Sequence, residues 1–257
     1  KNISSFNITH LIKLKQINCT DSGVTDAAIN NFPASLEKIN LNYSECMSSL
    51  TTSHLVNLNI SAFNIHHLVH LKEIKCEDSS ITNAALNKFP ESLEKIDLAY
   101  CRNISTFNIH HIVNLKEIVC RGSSITNAAI NNFPESLEKI DLKYCWNNSA
   151  FNIHQLINLK KIDCRGSSIT DTAFNNFPVS LETIDFAFCR DISTFNIHHL
   201  VNLKEINCNE SSITNTAINN FPESLERIDL RGCKNISAFN IHHLVHLKEI
   251  NCGDSSI

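Results

Sequence analysis

Glycine is scarce in this chain: 5 of its 257 residues, against 11 cysteines. A barrel or propeller built on glycine-rich turns is excluded on that count. No run of about 18 apolar residues exists, so no transmembrane helix is expected. Lys and Arg number 22 against 26 Asp and Glu, a net charge of −4. The basic excess of a general phosphate-backbone binder is missing, and no nucleic-acid partner is expected. Gly-x-Ser-x-Gly, a phosphate-cradling glycine loop and His-Glu-x-x-His are all absent, so no catalytic residue, cofactor or small-molecule substrate is expected. Cysteines do not fall in close C-x2-C pairs, which removes the usual zinc framework. There is no initiator Met and no signal peptide. Lys1-Asn2-Ile3-Ser4 matches Lys234-Asn235-Ile236-Ser237, so the chain begins inside a repeat and ends inside another. A longer protein, with terminal caps outside this segment, is the expectation.

What is present repeats. Phe63, Phe107, Phe151, Phe195 and Phe239 each open a Phe-Asn-Ile-His segment, 44 residues apart. Pro90, Pro134, Pro178 and Pro222 mark the same beat half a period later. Self-similarity at fixed spacing means one supersecondary unit stacked many times, a solenoid with no single globular core. With no Pro/Gly/Ser-rich linker, residues 1–257 read as one domain. In Leu93-Glu94-Lys95-Ile96-Asp97-Leu98 apolar and polar residues alternate over the last four positions, the period of a strand. Eleven strands are expected, opening at Leu14, Leu36, Leu71, Leu93, Leu115, Leu137, Leu159, Leu181, Leu203, Leu225 and Leu247. Ile125, Ala129, Ile130 and Phe133 have helical spacing behind Thr126 as N-cap, and Pro134 ends that helix. Ser105 or Thr106 is expected to cap a second, shorter helix over Phe107, Ile109 and Ile112. Between Leu36 and Leu71 the spacing is 35 residues where 22 is the rule. The 13-residue excess, near residues 45–60, reads as a looped-out duplication, or as a bulge that contacts a ligand.

Each period divides into halves of 22. One contains Leu93-x-x-Ile96-x-Leu98-x-x-Cys101-x-x-Ile104, the other Leu115-x-x-Ile118-x-Cys120-x-x-Ser123-x-Ile125. Both halves resemble the leucine-rich repeat family, and Tyr100-Cys101-Arg102-Asn103-Ile104 with Ile125-Thr126-Asn127-Ala128-Ala129-Ile130 resembles its cysteine-containing subclass. The resemblance implies an α/β solenoid, with a curved parallel sheet on the concave side and short helices on the convex side. It implies protein–protein recognition through the concave face.

Cys19, Cys76, Cys120, Cys164, Cys208 and Cys252 hold one repeat position; Cys101, Cys145, Cys189 and Cys233 hold another, with Cys46 displaced. All lie among interior residues and read as reduced packing thiols of an intracellular protein. The pairs His66-His67, His110-His111, His198-His199 and His242-His243 read as convex-surface packing and capping, not as metal ligands, because neighbours on a helix do not share a face. Asp97, Asp141, Asp185 and Asp229 read as a solvated acidic ladder.

Function is sought where the repeat fails. Counting each opening Leu as position 1, positions 2 and 3 read Glu94-Lys95 in one half and Lys116-Glu117 in the other, so each row alternates in sign along the sheet. Position 3 breaks the rule at Lys161, beside Lys139, and Thr183 follows. Position 7 carries Arg121, Lys143 and Arg165 in succession. Tyr144, Phe188 and Trp146, the sole Trp, adjoin them, with Arg102 and Arg190 on the rim. Interface hot spots favour Trp, Tyr and Arg. These ten residues form the expected binding patch, facing an acidic surface of another protein, with Asp141, Asp163 and Asp185 mixed into it. Two settings suit such a module: a bacterial effector or enzyme inhibitor acting in the cytosol, or the substrate-receptor portion of a ubiquitin-ligase complex. The competing class is the non-catalytic part of a larger enzyme.

Overall fold

The computed structural model describes residues 2–3, 7–44 and 63–256. The irregular insertion near residues 45–60, and Cys46 with it, lies outside the described residues. Two compact units are present. The N-terminal unit runs to Ser124 and includes Asn132–Pro134; the C-terminal unit comprises Ile125–Asn131 and Glu135 onward.

The N-terminal unit contains β1 (Asn2–Ile3), β2 (Gln16–Asn18), β3 (Gly23–Val24), α1 (Asp26–Ile29), β4 (Lys38–Asn40), β5 (Glu73–Lys75), α2 (Asn83–Leu86), β6 (Lys95–Asp97) and β7 (Glu117–Val119). The C-terminal unit contains α3 (Asn127–Ile130), β8 (Lys139–Asp141), β9 (Lys161–Asp163), α4 (Asp171–Phe174), β10 (Thr183–Asp185), β11 (Glu205–Asn207), α5 (Asn215–Asn219), β12 (Arg227–Asp229) and β13 (Glu249–Asn251). In each unit the three-residue strands pair in parallel in chain order: β2-β4-β5-β6-β7 in one, β8 through β13 in the other. All eleven sequence-derived strands are therefore present. The two-residue pair β1–β3 is an addition that periodicity did not signal.

Register follows from the central isoleucine. Ile74 lies opposite Ile96, and Ile140, Ile162 and Ile184 are aligned in turn. A one-residue slip would send these side chains to solvent and the charged ones inward, so burial locks the pairing. Behind the sheet, Phe63 stacks on Phe89 at 6.0 Å between ring centroids, and Phe151 on Phe177 at 5.9 Å. The tightest such pair is Phe174 on Phe195, at 4.2 Å.

The helices are single turns. α3 starts after Thr126, which holds the expected N-cap position in extended conformation (φ −109°, ψ 168°) but makes no side-chain capping bond. The second helix expected per period is absent: residues 107–114 hold only turns. Side chains outcompete the helix there. The Asn108 carboxamide accepts the His110 N–H at 2.9 Å, an Asx turn. The Ser105 N–H donates to Asn83 Oδ1, one repeat earlier, at 2.9 Å. Asp171 extends this tie, accepting from the N–H and hydroxyl of both Ser193 and Thr194.

Histidine completes the ties. The second His of each pair donates Nε2–H to the carbonyl of a Phe that precedes Pro: His67 to Phe32, His111 to Phe89, His199 to Phe177 and His243 to Phe221, at 2.9–3.2 Å. Gln155 reaches the carbonyl of Asn131 instead.

One core position breaks the pattern. Ile104, Ile192 and Ile236 fill the interior three residues after a buried cysteine, but the corresponding residue of the intervening turn is Asn148. It is 1% exposed, and neither atom of its carboxamide has a hydrogen-bond partner among the described residues. Burial without a partner costs about 1–3 kcal/mol. Asn148→Ile is therefore expected to stabilise the protein by about that amount, read as a higher urea midpoint at unchanged slope. An unchanged or lower midpoint would contradict this account.

Candidate functional site

Most strands end in one local device, in which an Asn or Asp at position 5 accepts the backbone N–H of position 7; Lys75 and Val119 hold that position in two strands of the N-terminal unit. In the C-terminal unit this holds at all six strands, from Asp141–Lys143 (3.0 Å) and Asp163–Arg165 (3.2 Å) to Asn251–Gly253 (3.2 Å). The aspartate ladder expected to be solvated is thus a set of turn-forming acceptors; Asp163 and Asp185 are buried. The turn throws position 8 into the left-handed region, at Tyr144 (φ 55°), Gly166 (61°), Phe188 (60°), Glu210 (50°), Gly232 (65°) and Asp254 (55°). Only two of these six are glycine.

The basic residues at position 7 are already partnered. Lys143 Nζ lies 3.1 Å from Asp141 and 3.2 Å from Asp163, and Arg165 reaches Asp185 at 2.5 Å. Asp141, Asp163 and Asp185 are themselves aligned in register, so the two cations separate three like charges. In the N-terminal unit, Arg121 lies 3.6 Å from Glu77 and 5.1 Å over the Tyr100 ring. Arg121, Lys143 and Arg165 thus have carboxylates of this chain within reach, beside the acidic partner surface expected from the sequence. Burial, with the Asp185 charge, raises the Asp163 pKa despite Lys143 and the Arg165 N–H. The Asp185 bond outweighs burial and raises that of Arg165.

Lys139 and Lys161 differ. They stand side by side in register, both exposed, with no carboxylate in ion-pair reach among the described residues. Elsewhere in these rows of the C-terminal unit, Lys204 pairs with Glu182, Arg227 with Glu205 and Lys248 with Glu226. On the rim, Tyr144 and Phe188 are each 41% exposed and Trp146 is 66% exposed, with Arg190 also in solvent. Arg102 is exposed in the N-terminal unit. Lys139, Lys161, Tyr144, Trp146, Phe188 and Arg190 thus remain available in one unit. Periodicity missed both the strained backbone under the aromatics and the polar Asn148 beside Trp146; the first shows in sequence as Gly and Asp alternating with Tyr at position 8.

The described cysteines pack in the interior, with Cys252 half-buried. All ten described cysteines are free, and nine are buried. Cys101 donates to the carbonyl of Cys76 at 2.9 Å, and Cys189 to that of Cys164 at 3.1 Å. Burial pushes the Cys101 thiol up to about 12 and that of Cys189 to about 11. Among the described residues no group of three or more His, Cys, Asp or Glu could hold a metal ion, and no helix is long and apolar enough to cross a membrane.

No protein-family model and no characterised sequence matches this chain. Solved structures do. TLR13, in complex with ssRNA13, superposes with a TM-score of 0.71 at 15% identity, over 95% of this chain and 36% of the receptor. Internalin InlF from Listeria monocytogenes gives 0.62 at 14% identity, over 99% of this chain and 79% of the internalin. The chain spans about a third of TLR13. Both neighbours are leucine-rich repeat proteins, and the leucine-rich repeat solenoid is the fold of this chain.

Two outcomes check this chemistry. Asp163→Asn is expected to fold as stably as the wild type, because Asn18, Asn40, Asn207 and Asn251 make the same turn; Asp163→Ala should lose about 1 kcal/mol. A carboxyl whose pKa rises on folding stabilises the folded state when protonated and loses that contribution as pH climbs through the folded value. Urea midpoints should therefore show a smaller fall with rising pH in Asp163→Asn than in the wild type. For the thiols, DTNB at pH 8 should spare Cys101 and Cys189 in the native protein and reach half-buried Cys252; native labelling of Cys101 would contradict their assignment.

Proposed function

We propose that this chain is a non-catalytic recognition module that binds a protein partner through the sheet face and rim of its C-terminal unit. The observation that carries this reading is the Lys139–Lys161 pair. Like charges directly opposite in a sheet are destabilising, and the row on either side shows that a Glu at position 161 would have been accommodated. Two adjacent free ammonium groups suit carboxylates presented by a partner. Tyr144, Trp146, Phe188 and Arg190 supply the residue types that dominate binding energy at protein interfaces.

A nucleic-acid partner is less well supported. The chain is net acidic, and Asp141, Asp163 and Asp185 neutralise the cations at position 7. The RNA of TLR13 belongs to a protein that shares with this one only its fold. Non-catalytic character is supported by the buried, protonated thiols and by histidines held on Phe carbonyls. Ten free described cysteines favour a reducing compartment. The near-identical, Asn- and Ile-rich repeats, with an internalin of a bacterium among structures of this fold, favour an effector or enzyme inhibitor over a ubiquitin-ligase receptor.

Lys161→Glu separates recognition from stability. It restores the alternation beside Lys139 and should leave stability unchanged or raise it by about 0.2–1 kcal/mol. It should also remove the proteins captured by immobilised wild type, as quantified by mass spectrometry. The same set captured equally by Lys161→Glu and Lys139→Glu would sink the reading.

A further inference from the structure

The edge of the C-terminal unit where its strands begin breaks the repeat in a second way. Two residues before each opening Leu stand Glu135, Ile157, Val179, Val201, Glu223 and Val245, in turn order. Val179 takes the place of the Glu found at 135 and 223, so Ile157, Val179 and Val201 occupy three consecutive turns. Each is more than half exposed. Hydrogen bonds hold them side by side: the Ser180 hydroxyl donates to the Leu159 carbonyl at 2.8 Å, and Asn202 Nδ2–H to the Val179 carbonyl at 3.0 Å. Single exposed aliphatic residues are ordinary on a protein surface, whereas a contiguous strip marks a place where something binds. Exposed Glu135 and Glu223 close its two ends.

The strip borders a groove of about 630 Å³, lined by Ile157, Val201 and the charged residues at position 2. That volume is in the range of clefts that hold ligands. Position 2 is in register from turn to turn: the Glu182 N–H donates to the Lys160 carbonyl at 2.8 Å, and the Lys204 N–H to that of Glu182 at 2.9 Å. Glu182 is paired with Lys204, and Glu226 with Lys248. Lys160 is exposed and has no carboxylate in ion-pair reach among the described residues. Lys161 follows it, and Lys139 stands in register with Lys161. Three free ammonium groups therefore gather at the Ile157 end of the strip. A lipid bilayer suits this edge less well than a protein, because anionic headgroups would also meet Glu135, Glu138, Glu182, Glu223 and Glu226.

We propose that this edge binds a segment of a partner protein in which a row of aliphatic side chains is flanked on one side by a cluster of carboxylates. The aliphatic side chains lie on Ile157, Val179 and Val201, and the carboxylates reach Lys160, Lys161 and Lys139. This inference gives the partner's chemistry and rests on the recognition role argued above.

Val179→Glu reproduces what the fold carries at Glu135 and Glu223, so it should keep the wild-type melting temperature. A displayed random-peptide library selected on the wild-type protein, and counter-selected on Val179→Glu, should enrich sequences that join aliphatic residues to Asp and Glu. The enriched peptide should bind Val179→Glu and Lys160→Glu at least about tenfold more weakly by calorimetry. Changing its acids to amides should have a similar effect. No enrichment, enrichment of basic sequences, or peptide binding that survives both substitutions would overturn the proposal. So would sedimentation of the wild type, but not of Val179→Glu, with phosphatidylserine vesicles, which would assign the strip to a membrane. Protein capture that needs Lys161 but tolerates Val179→Glu would reject this edge and leave the broader recognition role intact. Peptide binding lost in Val179→Glu, with capture insensitive to Lys161 and Lys139, would do the reverse.

Discussion

Nine of the eleven three-residue strands end on one hydrogen bond, from the backbone N–H of position 7 to the Asn or Asp side chain two residues earlier. Position 8 lies in the left-handed region after all eleven, including those where Lys75 and Val119 hold position 5, and position 9 is a buried cysteine in four of them. Inter-turn backbone bonds then continue past the strand, as from Tyr144 N–H to the Arg165 carbonyl at 2.8 Å. The strands are only three residues long, so a repeat has little stability of its own and stands on its interfaces with its neighbours. Where that side chain fixes the exit of a strand, it also fixes where the next helix, histidine and phenylalanine meet.

The same bond explains where charge sits. An Asp at position 5 faces the cation at position 7 of its own turn or lies one strand away from it. Lys143 and Arg165 are therefore matched to Asp141, Asp163 and Asp185. Once that ladder closes on itself, the long-range field of the surface falls and recognition passes to groups outside it. Those are the two lysines at position 3 and the aromatics lifted onto the rim. Exposed ion pairs add little to binding or stability, whereas a rigid aromatic ring offers large contact area at low entropic cost.

Much of this was legible in the sequence. The strand openings at Leu137 or Leu203 follow from period-2 alternation, and the register from the isoleucines between. The second helix near Phe107 was misread because apolar spacing says nothing of Asn108, whose carboxamide takes up the N–H that a helix would need. Asp185 was read as solvated because a strand pattern shows which face a residue occupies, not whether its carboxylate turns back on its own backbone. Lys139 and Lys161 were legible as a broken alternation, and the structure places them in register. Asn148 was legible too, as a polar residue in the Ile104–Ile192 column.

Backbone strain gives the rim its meaning. A bulky residue in the left-handed region costs roughly 1–2 kcal/mol relative to glycine. The fold accepts glycine in that slot, since Gly166 and Gly232 occupy it in turns of the same unit. Tyr144 and Phe188 therefore contribute nothing to the turn that glycine would not supply, and they leave much of each ring in water. Neither a core-packing role nor a turn requirement accounts for that combination. An edge of the Tyr144 ring also lies against Gly166, which limits its movement. A strained, exposed ring with limited movement loses less entropy on binding, and that is the physical condition a recognition surface requires.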